Sequence, residues 1–229
     1  MSRPSATIVL FSVLAASAFC HPADGITLKR VFKVGDKGVE SITGKLEVGG
    51  QSAEVILKTK SEVKSIDPDG TAHLEAQQIQ ASFNGQDSPA SDGPTKIALK
   101  ATGELVSYES TEASANPKPQ ILTGFYYPTT DVKVGDSWTV TIKGSDKLDP
   151  ADITAEMKLD GDEKIGGADT WKVEGTIKEK GTDGGSSKNT YWIDKASGRV
   201  VKEEAVLSSV EVASGVVVSG TLDIAWTYS

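Results

Sequence analysis

The chain has 229 residues, 38% of them hydrophobic and 23 of them glycine, which fits one large or two small globular domains and argues against overall disorder. Its 24 Lys and Arg against 32 Asp and Glu give a net charge of −8 with no basic stripe, so a phosphate backbone is repelled and nucleic-acid binding is disfavoured. The acidity reads as solubility rather than as a specific partner.

Met1–Ala18 carries one positive charge, Arg3, then an apolar run from Ala6 to Leu14, then small residues. This is the pattern of a secretory signal peptide, with Ala16-Ser17-Ala18 as the cleavage signal. The run is too short to span a bilayer as a helix, which takes about 20 residues, and no later window is long enough. The expected mature protein, 19–229, is therefore exported to the periplasm or cell surface without a transmembrane helix. Cys20 stands where an exported lipoprotein carries its acylated cysteine, but Phe19 precedes it instead of a small residue. Lipidation and a free or removed thiol both stay open. One cysteine makes no internal disulfide, so the mature chain relies on its core.

Beyond the leader, alternation with period two dominates and helical periodicity is nearly absent. Trp138, Val140 and Ile142 oppose Thr139, Thr141 and Lys143; Trp171, Val173 and Ile177 oppose Lys172, Glu174 and Lys178; Leu222, Ile224, Trp226 and Tyr228 oppose Thr221, Asp223, Ala225 and Thr227. Strands with one buried and one wet face result. Turn signals at Gly49-Gly50, Asp67-Pro68-Asp69-Gly70, Gly166-Gly167, Asp183-Gly184-Gly185 and Lys195-Ala196-Ser197-Gly198 separate them. The expected fold is all-β: a curved antiparallel meander, half-barrel or sandwich-like, with little or no helix.

Lys33-Val34-Gly35-Asp36 recurs as Lys133-Val134-Gly135-Asp136, and the segments that follow run in parallel order. This predicts a single β-domain of two related halves, 26–102 and 129–229, joined by a loop at 103–128. Each Gly-Asp reads as a tight turn, with glycine at positive φ and Asp bonding the next amides. Glu109–Pro119, rich in Ser, Ala, Glu and Pro, reads as a linker or long surface loop. Asp149-Pro150-Ala151-Asp152 reads as a turn in preference to a helix start.

The catalytic inventory is thin. The residues past the leader offer only Cys20, His21 and His73, and His73 falls on the polar side of its strand. Neither G-x-S-x-G nor H-E-x-x-H occurs. Ser61-Glu62-Val63-Lys64 matches S-x-x-K without its companion motifs and in a strand context. A carboxylate pair of glycosidase type needs only two acids, and no pair stands out among 32. Asp146, Asp149 and Asp152, and Asp160-Gly161-Asp162-Glu163, lack the ligand spacing of a calcium loop and read as solvated turns. No catalytic residue, metal ligand or cofactor is therefore assigned. Phe125-Tyr126-Tyr127 forms a dense aromatic cluster, and Trp192 and Trp226 lie in the C-terminal strands. These rings read first as core; as a pocket lining, Phe125, Tyr127, Trp192 and Trp226 would contact an apolar ligand.

Thr129 to Trp138, with the earlier Lys33 to Asp36 and the late Tyr191 to Lys202, resembles a bacterial exported β-rich family of unknown function and, more distantly, lipoprotein carriers of the LolA and LppX type. The carrier resemblance implies a half-open antiparallel barrel closed by helices over an apolar, lipid-binding cavity. This chain shows no amphipathic helix of ten or more residues, and 107–130 contains Pro117, Pro119 and Pro128, so no binding residue carries over. Three functional expectations follow: a non-catalytic envelope protein with a structural or binding role, a carrier of an apolar ligand or lipid, and a carboxylate-pair hydrolase.

Overall fold

The computed structural model describes residues 25–229 except 90, 92, 112–114, 146, 147, 149, 150, 182, 183 and 214. The expected leader over 1–18, Cys20 and His21 lie outside the described residues, as do Asp149 and Pro150.

The described residues form twelve strands and one five-residue helix: β1 (Lys37–Val48), β2 (Gln51–Ile66), β3 (Ala72–Phe83), β4 (Gln86–Ser88), β5 (Thr95–Leu99), β6 (Leu105–Glu109), α1 (Lys118–Leu122), β7 (Ser137–Ile142), β8 (Ile153–Ile165), β9 (Ala168–Glu179), β10 (Ser186–Asp194), β11 (Val200–Ala213) and β12 (Val216–Tyr228). All pair antiparallel in one open sheet, ordered β6-β5-β3-β2-β1-β12-β11-β10-β9-β8-β7, with β4 on β3. The all-β antiparallel fold read from the alternation is the fold observed. Tight hairpins set its register: Gly49-Gly50 joins β1 to β2 with φ of 58° and 79°, and Gly166-Gly167 joins β8 to β9 with φ of 58° and 89°. Both central positions of such a two-residue turn demand positive φ, which glycine adopts without strain.

The Lys-Val-Gly-Asp turns have one geometry. The Lys33 N–H donates to Asp36 Oδ2 at 2.9 Å, and the Lys133 N–H to Asp136 Oδ2 at 2.8 Å. Gly35 and Gly135 take φ of 87° and 93° and donate to the carbonyls of Val63 and Leu159 at 2.8 and 2.7 Å. Each aspartate thus closes its turn backward onto the lysine amide, not forward onto the amides that follow.

The strand order has one large consequence. The first and last strands pair at the middle of the sheet, so β6 and β7 lie at opposite edges. The chain between them must cross a whole face of the sheet. It crosses the inner face, and α1 with Phe125, Tyr126 and Tyr127 is buried there. The expected joining loop at 103–128 therefore contains β6, α1 and a stretch of core. Beneath it pack Ala155, Met157 and Leu159 of β8, Val173 and Ile177 of β9, and Tyr191 and Ile193 of β10, all nearly inaccessible. The inner positions of β2 opposite this core include Thr59 and Ser61, which are only half-buried. Packing there is incomplete, and a cavity remains.

Candidate functional site: a cavity beneath the crossing segment

The cavity has a volume of about 330 Å³. Glu40 of β1, Thr59 and Ser61 of β2, Trp226 and Tyr228 of β12, and Glu203 of β11 line it from the sheet. Leu74, Ala76, Ile97 and Leu105 supply an apolar wall, and the segment from Gln120 to Tyr127 supplies the roof.

Among the described residues no strand pairs with the roof, so its backbone carbonyls need side-chain donors. Asn189 Nδ2 donates to Leu122 O at 3.1 Å, and the Ser187 hydroxyl donates to the same oxygen. Tyr191 Oη donates to Gly124 O at 2.9 Å, and Trp138 Nε1 to Tyr126 O at 2.8 Å. Tyr127 Oη donates to Gly198 O at 2.6 Å. Phe125 then meets Tyr127, Tyr191 and Trp138 edge-on, with ring centroids 4.5, 5.1 and 6.4 Å apart, the arrangement that ring quadrupoles favour. At the start of α1, Lys118 Nζ lies 2.7 Å from Glu179 Oε1, a largely shielded ion pair. The roof is thus held by β7, β9, β10 and the turn between β10 and β11 through specific bonds.

Two acidic side chains stand out. Glu203 is 1% exposed, and among the described residues its Oε1 has no hydrogen-bond partner. Burial holds its carboxyl well above the ordinary range, and the charge of Glu40 raises it further. Glu40 itself is pushed up from 4.5 to about 7 by burial, while the Trp226 indole N–H, bonded to it, works the other way. Among the described residues neither carboxylate forms an ion pair. The phenols of Tyr126, Tyr127, Tyr191 and Tyr228 are likewise raised, chiefly by burial.

Of the four rings expected to contact an apolar ligand, Phe125, Tyr127 and Trp226 line this cavity. Trp192 does not. Tyr191 and Ile193 point inward, so strand alternation turns Trp192 to the other face, where its Nε1 donates to Glu163 Oε2 at 3.0 Å and Lys202 Nζ sits 4.6 Å from the ring centre. The expectation that no carboxylate pair stands out needs correction as well, because Glu40 and Glu203 share the cavity. The sequence carries a signal for them. Each occupies an inward position in a register of apolar or small neighbours: Ala205 and Leu207 beyond Glu203, Gly38 and Ile42 around Glu40. An acid in such a row is misplaced unless something inside meets it.

The remaining candidates stay apart from the cavity chemistry. His73 Nε2 lies 2.8 Å from Asp67 Oδ2 at the β2–β3 turn. Ser61 faces the cavity, whereas Lys64, three positions along the same strand, points outward to Glu62 at 2.8 Å and Glu75 at 3.6 Å, so they form no dyad. Asp152 accepts from Lys143 Nζ at 3.0 Å and the Gly144 N–H at 3.1 Å. Asp160 lies near Lys158 and Lys172, and Asp162 near Lys195. Among the described residues, no three His, Cys, Asp or Glu gather as a metal site.

No protein-family model and no curated protein matches the chain. Among solved structures, it is similar to the hypothetical lipoprotein YmcC from Escherichia coli, with a TM-score of 0.33, 15% identity, and 81% of this chain and 86% of that one covered. It is also similar to a provisionally assigned lipoprotein from Parabacteroides distasonis, with a TM-score of 0.38, 15% identity, and 90% and 100% covered. A third likeness is to a DUF1329 family protein from Desulfovibrio piger, with a TM-score of 0.25, 14% identity, and 84% of each chain covered.

Proposed function

We propose that the protein is an exported, non-catalytic binding protein that holds one small amphipathic ligand in the cavity under the crossing segment. The observation that carries this reading is the roofed cavity of about 330 Å³, which falls in the range of small-molecule sites, about 300 to 1,000 Å³. Rings from Phe125, Tyr127 and Trp226 would take the apolar part of the ligand, and Thr59, Ser61, Glu40 and Glu203 its polar part. That mixture favours an amphipathic ligand over a wholly apolar one. Export rests on the leader pattern of Met1–Ala18, and attachment to a membrane would rest on Cys20.

The test is to purify the protein from its native envelope and record its mass under native and then denaturing conditions. A ligand-sized excess that disappears on denaturation is the expected result. No excess, together with no thermal stabilisation by any of a panel of small amphiphiles, would overturn the proposal. The denatured mass also shows whether Cys20 is acylated, free or removed.

The Glu40–Glu203 pair supports a second reading, a carboxylate-pair hydrolase, in which Glu203 stays protonated as acid and Glu40 ionises as base. Hydrolysis of chromogenic glycosides that is lost in Glu203→Gln would establish it, and inactivity across the panel would remove it.

A further inference from the structure

We infer that the ligand is an organic cation whose ammonium group sits against Glu40 and Glu203 and whose hydrocarbon part packs on the surrounding rings. This rests on the binding reading above and specifies its ligand class.

The first ground is the contrast between this acid pair and the other shielded carboxylates. Asp36 is matched by Arg199, and Glu179 by Lys118. Glu203 is more deeply buried than either, yet among the described residues no basic side chain is paired with it or with Glu40. The second ground is the unpartnered Oε1 of Glu203, an acceptor on a side chain that lines the cavity. A buried polar atom without a partner is destabilising, the more so when charged. A ligand that donates to it or neutralises it removes that cost. The third ground is the ring wall: Phe125, Tyr127, Tyr191, Trp226 and Tyr228 border the same space, and aromatic faces attract ammonium groups electrostatically.

The other titratable groups facing the cavity are Arg30, from the segment before β1, and the phenols of Tyr108, Tyr126, Tyr127, Tyr191 and Tyr228. Burial raises the phenols of Tyr126, Tyr127, Tyr191 and Tyr228 above their ordinary range, so those four stay neutral near pH 7. Arg30 stacks over Phe32 at 4.4 Å and its charge is felt at Tyr127 and Tyr228. It marks that rim as the place for the uncharged part of the ligand. In the empty cavity the acids are held toward their neutral forms; a cation is held best by carboxylates, so its binding expels protons and strengthens as pH rises. A neutral acceptor taken by protonated Glu203 would show the reverse dependence.

Calorimetric titration of the purified protein with benzyltrimethylammonium, benzyl alcohol and benzoate at pH 6 and pH 8 separates these outcomes, since the three share one ring and differ in charge. The cation is expected to bind about tenfold or more tightly than the alcohol at pH 8, to weaken several-fold at pH 6, and to release protons on binding. Glu203→Gln, nearly isosteric and checked for folding by circular dichroism, should reduce cation binding about tenfold and narrow the preference for the cation over the alcohol. Equal binding of alcohol and cation with no pH dependence would overturn the cation inference and leave the binding proposal standing. Tighter binding of benzoate would overturn it in favour of Arg30. Binding of none of the three would count against both.

Discussion

Glu40 on β1 and Glu203 on β11 face one cavity from either side of β12, and the charge of the first makes the second harder to ionise. Stability should therefore depend on pH in a direction opposite to that of a paired carboxylate. For Glu40, raised from 4.5 to about 7, the unfolded chain has lost a proton that the folded chain keeps between those two values. Stability falls as pH rises through that window, by on the order of 3 kcal/mol. Glu203, held well above its ordinary range by burial, contributes in the same direction. Asp69 and Asp152, lowered by backbone and side-chain hydrogen bonds, act below the window. Thermal melts at pH 5 and pH 8 should give the higher midpoint at pH 5, and Glu203→Gln should shrink the difference by stabilising the protein at pH 8. A midpoint that rises with pH would refute the burial of these acids.

The two Lys-Val-Gly-Asp turns share their backbone geometry but not their surroundings. Asp36 also bonds Arg199, whose guanidinium lies 4.9 Å from the Tyr228 ring centre, whereas Asp136 accepts from the Lys133 N–H of its own turn. Asp136→Ala should cost about 1 kcal/mol, the worth of one turn hydrogen bond, and Asp36→Ala about 2 to 3 kcal/mol, because a charge-assisted partner goes with it. Urea denaturation of both variants checks the ranking. Equal costs would mean that the Arg199 bond contributes nothing.

Gly103 fixes how closely the roof approaches the strand edge. It sits at φ of 89°, and a Cβ there would lie 1.9 Å from Phe125 O, a backbone atom that cannot swing aside. Gly103→Ala should destabilise by about 2 kcal/mol or more, through strain and displacement of Phe125 to Tyr127. Its near-ultraviolet circular dichroism should change along with its melting point, since those rings are the ones displaced.

Lys118 and Glu179 secure the start of α1 at 2.7 Å, with side chains 15% and 6% exposed. Removing the cation leaves Glu179 shielded, with the Gly185 N–H as its remaining donor among the described residues. Lys118→Met should therefore cost about 3 kcal/mol, and the double variant Lys118→Met, Glu179→Gln should recover much of it. Additive losses in the double variant would show that the pair does not act as one unit.

Strand character, turn positions and inward faces were legible because period-two alternation is a local signal: Trp138, Val140, Ile142 and Leu222 to Tyr228 all keep the faces assigned to them. The crossing segment was not legible. Its location follows from β6 and β7 being opposite edges, a property of strand order that no local pattern around Pro117 and Pro119 encodes. The acid pair was half legible. Glu203 breaks an inward row within one strand, but its meeting with Glu40, 163 positions away, needs the β1–β12 and β11–β12 pairings. Trp192 faces outward for a local reason: its neighbours Tyr191 and Ile193 face inward, and the parity of strand alternation sets its ring on the opposite side.

That parity yields a test of the cavity's function. Trp192 is 5% exposed on the outer face, bonded to Glu163 and covered by Lys202; Trp226 is half-buried on the inner face and borders the cavity. Trp192→Ala removes a large buried ring and should cost about 3 to 5 kcal/mol, yet leave ligand retained in native mass spectra. Trp226→Ala removes less buried surface and also frees Glu40 of its indole donor. It should cost less stability, under about 3 kcal/mol, but abolish retention of the ligand. Stability and occupancy therefore move in opposite order across the two variants. If Trp192→Ala loses the ligand while Trp226→Ala keeps it, the binding site lies on the outer face and not under the crossing segment.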